Sequence, residues 1–522
     1  MSEADSQATP EARVSGYAWY VLAVLVLVYA LSFVDRQILS VLAEQVKRDL
    51  RLTDAELGFL YGTAFAIFYT VFGIPLGRLA DSWRRGWLMA LGLVLWSLMT
   101  IISGFSNSFA QLAVARIGVG VGEASASPAA YSLLAGLFPQ SRRGLAIGIY
   151  TAGAYLGIGL SLPIGGLIAD HWNMWYVAGG APLGLSGWQA AFVAVGLPGV
   201  LMAAWVVSLG EPARHGPRGE LLPVAKPGAW KAFLGDVAAL LPPFTLWSVS
   251  RFPGELARNL VIAAATATVV IALIWTTGDA GQWISYGVGF YAIASWSQTL
   301  RHTDPPAFTL IWGSPIVPLA LVGFGGAVLI TYAFGFWATP FAIRTFGVSA
   351  STAGVAIGIP GAVASAAGVI AGGRLSDWWK KRDPRGRIFT GMVSLVLPVP
   401  LIVLMFTRHD FETYATISPA IYFLSSVYTA SAAAAYQDLV LPRMYGTIGA
   451  IFLAGSTMVG LAIGPYATGK VATLTGSLAT GALSMLVIVP IALLALWQMS
   501  KRAQWAETTK LTRAIAAGEP AQ

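Results

Sequence analysis

Cysteine is absent from the chain. No disulfide, thiolate metal site or cysteine nucleophile is therefore available. Charge is scarce too. Asp, Glu, Lys and Arg make up 11% of the 522 residues, where a soluble domain carries about 25%. The four histidines, His171, His215, His302 and His409, fall in stretches that read as loops. No intramembrane metal or imidazole acid–base site is expected from them. Nucleophile-elbow, phosphate-loop and H-E-x-x-H patterns are missing as well. These absences exclude a soluble enzyme, a disordered chain and an ATP-driven machine. Neither a metal nor a cofactor is expected. The 32 cations exceed the 24 anions by only eight, without a basic patch interleaved with aromatics. Nucleic acid is thus a poor partner.

What the chain has is apolar sequence: 56% of it is hydrophobic, and the mean hydropathy is +0.68. A helix needs roughly 20 apolar residues to cross a bilayer. Such runs lie at 17–43, 55–77, 86–106, 109–137, 144–169 and 188–209, and again at 315–343, 351–373, 387–407, 415–437, 446–468 and 479–499. Residues 1–16 lack a basic region and a small-residue cleavage site, so the first run is expected to stay as a membrane helix. Residues 210–314 form a linker holding two shorter runs, 257–277 and 283–299. They are read as an extra hairpin. Residues 500–522 are a polar tail. Most of the 19 tryptophans are expected in an interface belt.

Lys and Arg in loops favour the cytoplasm. With the N-terminus inside, 24 of the 32 cations fall inside, six outside, and Arg36 and Arg116 within spans. The expectation is a multi-pass protein of a bacterial inner membrane, monomeric, with both termini cytoplasmic. Membrane lipids are natural neighbours of its basic loops.

The chain repeats itself. Gly77-Arg78-Leu79-Ala80-Asp81-Ser82-Trp83 recurs as Gly373-Arg374-Leu375-Ser376-Asp377-Trp378-Trp379, and Ala129-Ala130-Tyr131 as Ala434-Ala435-Tyr436. Two six-span halves in parallel repeat suit alternating access, with a site between them near the membrane middle. Gly77, Asp81, Arg85, Gly373 and Asp377 read as a gating motif, in which a carboxylate pairs with a cation across the seam between the halves.

G-x-L-x-D followed by basic residues resembles the signature of the major facilitator superfamily. Arg116-x-x-x-Gly120-x-Gly122 and Gly187-Trp188-Gln189-Ala190-Ala191-Phe192 are similar to further motifs of that superfamily. Phe33-Val34-Asp35-Arg36-Gln37 with Gly122-Glu123-Ala124 looks most like its Spinster branch. The resemblance implies an all-α membrane protein, two six-helix bundles, and a proton-linked carrier of lysolipids or sphingolipid phosphates rather than an enzyme. Pro163-Ile164-Gly165-Gly166 matches the antiporter motif only in part and sets no direction of transport.

Four ionisable residues lie deep in the spans: Asp35, Arg36, Arg116 and Glu123. Each costs about 2.5–3.5 kcal/mol to insert, which marks function. At the rise of a helix, Asp35 is about 12 Å from the outer end of its span, Arg116 about 10 Å and Glu123 about 20 Å. Asp35 is expected to pair with Arg116. Glu123 is the first choice for the proton, Asp35 the second. Arg36 is expected to reach either carboxylate or to bind an anionic head group. In the second half, Glu123 maps near Tyr428, and Asp35 near Phe334, Phe336 and Trp337. A greasy wall of these residues, with hydroxyls from Ser425, Ser426, Thr429 and Ser431, is expected to take the tail of an amphiphilic anion. A small soluble organic anion or a drug is the alternative substrate. Gly118, Gly120 and Gly122, like Gly153 and Gly157 or Gly460 and Gly464, read as close helix packing.

Overall fold

A computed structural model of the chain describes residues 14–215 and 221–520. Arg13 and Arg218, counted above among the inner cations, lie outside the described residues. The described chain is almost wholly helical. Its one sheet is a two-residue ladder in the linker, Arg214–His215 against Leu221–Leu222.

Local chemistry sets the ends of the spans. Ser15 caps the first helix, Gly16–Leu50, and Arg51 ends it with φ 55°. Gly347 ends the seventh span, Ile316–Phe346, in the same left-handed turn with φ 66°. This is the repeat seen in the backbone. Thr53 and Glu56 form a capping box at the start of the second span. Ser186 and Gln189 form another at the sixth, Gly187–Val207, which explains the G-W-Q entry.

Among the described residues, eleven helices are long and apolar enough to cross a membrane, as expected of a multi-pass integral membrane protein. The fourth and tenth spans and the second hairpin helix, Ala280–Thr303, are not among them, and the fourth and tenth are each broken. The fourth runs as Phe109–Glu123 and Ala126–Leu137, the tenth as Phe411–Ser426 and Tyr428–Asp438. The breaks fall at Glu123 and beside Tyr428, at equivalent points of the two halves.

The glycine stripes pack as expected. A Cβ on Gly153 or Gly157 would lie 2.7 Å from the carbonyl oxygen of Val26 or 2.2 Å from that of Ala30, so the fifth span, Gln140–Trp175, lies close on the first. One on Gly464 would lie 2.8 Å from the Leu329 oxygen, and one on Gly460 would strike Val328. The eleventh span thus lies close on the seventh in the second half.

The linker contains helix Ala229–Leu240 and then the hairpin, Glu255–Thr277 and Ala280–Thr303. The apolar stretch of the first hairpin helix has no buried residue. The second helix lies over the seam between the second and eleventh spans, with Gly289 against Ile67 and Met458. Asp279 at the turn meets Lys470 at 2.7 Å and accepts from Tyr466 at 2.7 Å. At the other end Asp304 meets Arg443 at 2.8 Å. The helix therefore follows the eleventh span along its length. Its 24 residues reach about 36 Å, the length of a span, but its sequence is less apolar than that of the eleven spanning helices. Two histidines expected in loops sit on helix ends instead: His171 on the fifth span, and His302 on the hairpin, 2.9 Å from Glu255.

Candidate functional site

The first and fourth spans bring the four embedded charges together. Glycines make this possible. A Cβ on Gly120 would stand 2.5 Å from the Phe65 oxygen, and one on Gly122 2.8 Å from the Gly92 oxygen. The fourth span therefore sinks between the second and third, carrying Arg116 and Glu123 inward.

Arg36 donates from Nη2 to Glu123 Oε2 at 2.6 Å, and Ser32 Oγ donates to the same oxygen at 2.8 Å. Arg36 is 7% exposed and Glu123 1%. The guanidinium also lies over Phe65, Phe33 and Tyr69, at 4.2, 4.6 and 5.3 Å from the ring centres. Aromatic faces attract such a cation where water is scarce.

The pairing differs from the one expected from depth. Arg36, not Arg116, makes the ion pair, and its carboxylate is Glu123. Arg116 Nη1 donates to the backbone oxygen of Asp35 at 3.2 Å. Asp35 and Arg116 are both fully buried. Among the described residues, the two carboxylate oxygens of Asp35, Glu123 Oε1 and Arg116 Nε and Nη2 have no hydrogen-bond partner. Trp96 and Thr100 stand beside Asp35, their N–H and O–H groups near enough to act on its carboxylate. Counting residues along a span gives depth but not the direction of a side chain; that choice belongs to the packing of the fourth span.

Half-buried side chains surround Arg36: Tyr29, Phe33, Gln37 and Tyr69 from the first half, and Tyr332 from the seventh span. Tyr332 lies within electrostatic range of Arg36 and of Tyr428, and Tyr428 is 6% exposed. The sequence reading missed Tyr29, Tyr69 and Tyr332. Their signal was a tyrosine in mid-span rather than at the interface, where such rings usually lie.

Three residues assigned to a greasy substrate wall need correction. Phe334 packs inside the second half, against Tyr422 at 4.9 Å. Phe336 stacks on Tyr61 of the first half at 4.3 Å, and its backbone oxygen accepts from Ser40 at 2.6 Å. Trp337 donates to the Pro465 oxygen at 2.9 Å. All three are buried. Phe336 and Trp337 belong to a seal, not to a lining. Of the expected hydroxyls, those of Ser426 and Ser431 donate to backbone oxygens of their own span, at 2.8 Å each.

The seal closes one end of the seam between the halves. Arg344 of the seventh span reaches Glu44 and Asp54 of the first half, each at 2.7 Å, and Lys47 holds Asp54 at 2.6 Å. Asp170 of the fifth span accepts from Ser351 N at 2.7 Å. Gly58, Gly62 and Gly469 let the second and eleventh spans cross in near contact: a Cβ on them would fall 2.1–2.3 Å from a backbone oxygen of the opposite span. Arg344 and Lys47 had counted only as topology signals. The opposite end carries the duplicated motif.

There, Gly77 faces Pro128 and Gly373 faces Ala430, both within their own halves. Asp81 is exposed and Arg85 buried. Arg85 Nη1 donates to the Ser132 oxygen at 3.1 Å, and its Nε is 3.6 Å from Glu211. In the second half Arg387 donates to the Ala434 oxygen at 3.0 Å and to Asp438 at 2.5 Å, with Asp377 at 3.9 Å. These bonds tie the start of the third or ninth span to the fourth or tenth span of the same half.

Comparison with known proteins agrees with this architecture. The pattern of the Major Facilitator Superfamily matches residues 25–465. An MFS-type efflux pump of Mycolicibacterium smegmatis is 29% identical over 91% of this chain and 89% of its own length. A probable galactarate/D-glucarate transporter of Bacillus subtilis is 28% identical over 40% of this chain and 44% of its own. Among solved structures, a bacterial homolog of the human lysosomal transporter Spinster, in an inward-facing and unoccupied conformation, superposes with a TM-score of 0.67. It is 23% identical and covers 96% of this chain and 98% of its own.

Proposed function

The chain belongs to the Major Facilitator Superfamily, and from that premise we propose that it is a proton-coupled carrier of an amphiphilic organic anion. The observation that carries this reading is the buried Arg36–Glu123 pair, 2.6 Å long, beside half-buried rings contributed by both halves.

The coupling follows from the energetics of burial. Breaking a buried pair and leaving one charge behind costs roughly 3–5 kcal/mol. A substrate anion that takes Arg36 from Glu123 would strand the carboxylate. A proton on Glu123 removes that cost. Substrate and proton therefore bind together, and their departure restores the pair. Asp35 and Arg116 form the second member of the relay: Asp35 is a fully buried acid within electrostatic range of both Glu123 and Arg116.

The anion's head lies at Arg36, against Phe65 and Tyr69. Its apolar part lies toward Tyr332 and Tyr428 of the second half. The positive-inside bias supports a cytoplasmic motif end and cytoplasmic termini. On this reading the sealed Arg344 end faces outward, and the protein sits in a bacterial inner membrane. Bacterial relatives named for export and for sugar-acid transport favour a second reading, a small soluble organic anion or a drug. Uptake into proteoliposomes of a series with one head group and increasing tail length separates the two. Rates that rise with tail length support the amphiphile; rates highest for the tail-less head group reject it.

A further inference from the structure

The hairpin and linker create a chamber apart from the four charges. A cavity of about 840 Å³ opens at the motif end. Its walls come from four elements: Ile74 and Arg78 of the second span, the helix through Asp236 and Ala239, the segment Phe244 to Phe252, and Trp296 of the hairpin. Thr447, at the start of the eleventh span, lines it too.

Its chemistry is two-sided. The interior is lined by Ile74, Leu240, Trp296 and Leu300. Phe244 and Trp247 are 60% and 80% exposed, as aromatic residues at the head-group level of a bilayer are. Three charged residues line it. Arg78 donates to Asp236 at 2.8 Å, so those two neutralise each other. Arg251 is exposed, and among the described residues none pairs with it. One uncommitted cation thus stands beside an apolar chamber, next to a helix whose whole apolar stretch is unburied.

We propose that this cavity binds an anionic two-chain phospholipid of the surrounding leaflet, its phosphate on Arg251 and an acyl chain against Trp296 and Leu300. The volume suits part of one lipid, since pockets of about 300–1,000 Å³ hold molecules of drug size. Both halves contribute to the wall, Ile74 and Arg78 from one and Thr447 from the other. A bound lipid therefore holds them in the arrangement seen here and makes the carrier sensitive to the charge of its bilayer.

The test is thermal unfolding of the full chain in detergent, titrated with phosphatidylglycerol or phosphatidylcholine. Phosphatidylglycerol is expected to raise the melting temperature and phosphatidylcholine to do so much less. Arg251→Gln should weaken the apparent affinity for phosphatidylglycerol about fivefold, the share of one basic residue near an anionic surface. Ala239→Trp, which fills the chamber from the linker helix, should abolish the shift while the lipid-free melting temperature stays near wild type. If that variant does not fold, Ala232→Trp takes its place from the same helix. Equal shifts with the two lipids, or a full phosphatidylglycerol shift in either kind of variant, overturn the proposal; binding beside Arg36 would give the latter result.

Discussion

Arg344 holds Glu44 across the seam between the two halves, with Nε at 3.2 Å and Nη2 at 2.7 Å from Oε1. The same guanidinium reaches Asp54. One residue of the second half thus joins the first and second spans of the other, and it does so only when this end is shut.

Replacing it by glutamine should loosen the seal without unfolding either bundle. Arg344 is 28% exposed, so its contribution is that of a partly screened pair, up to about 1 kcal/mol. That corresponds to a roughly fivefold shift toward the state open at this end. The chain has no cysteine, so single cysteines at Gln45 and Val348 give clean spin-label pairs. The long-distance population should grow in Arg344→Gln. An unchanged distribution would remove Arg344 from the gate.

Glycine positions give a sharper test of the same seal. A Cβ at Gly469 would sit 2.1 Å from the Asp54 oxygen, whereas one at Gly335 meets nothing within 4 Å. Gly469→Ala should fold, favour the opened end in the same label pair, and lose most transport. Gly335→Ala should transport normally. Equal transport by the two variants would show that the close crossing is not needed.

The hairpin anchor should respond to acid. Arg443 holds the Asp304 carboxyl below its ordinary range, chiefly through their hydrogen bonds. A lowered folded-state value means that the stabilisation is present above the unfolded value and is lost as pH falls through the folded one. Melting temperature should therefore drop more steeply below about pH 4 in wild type than in Asp304→Asn. Parallel pH profiles would deny the anchor.

Much of this architecture was legible in the sequence, because hydropathy and the doubled G-R-L-x-D motif depend on composition and order. The twelve spans, the hairpin and the glycine-packed faces follow from those alone. Side-chain direction does not. Phe336 and Trp337 looked like a substrate wall because they align with Asp35 in the repeat. They turn instead onto Tyr61 and Pro465, where the shut end needs bulk. Asp35 and Arg116 lie at matching depth, yet Arg36 is the residue that reaches Glu123. Arg344 sat in a loop count of cations, and only the meeting of the halves gives it Glu44 and Asp54. The broken fourth and tenth spans were also hidden, since hydropathy runs on through Ala124 and Val427.

The coupling claim rests on Glu123 and is tested most directly by uptake of a lysophospholipid into proteoliposomes under an imposed pH gradient, comparing wild type with Glu123→Gln. Wild type should accumulate substrate above equilibrium. The variant should still fold and exchange substrate down its gradient, with no response to the pH gradient. Gradient-driven accumulation by Glu123→Gln at the wild-type level would contradict the assignment.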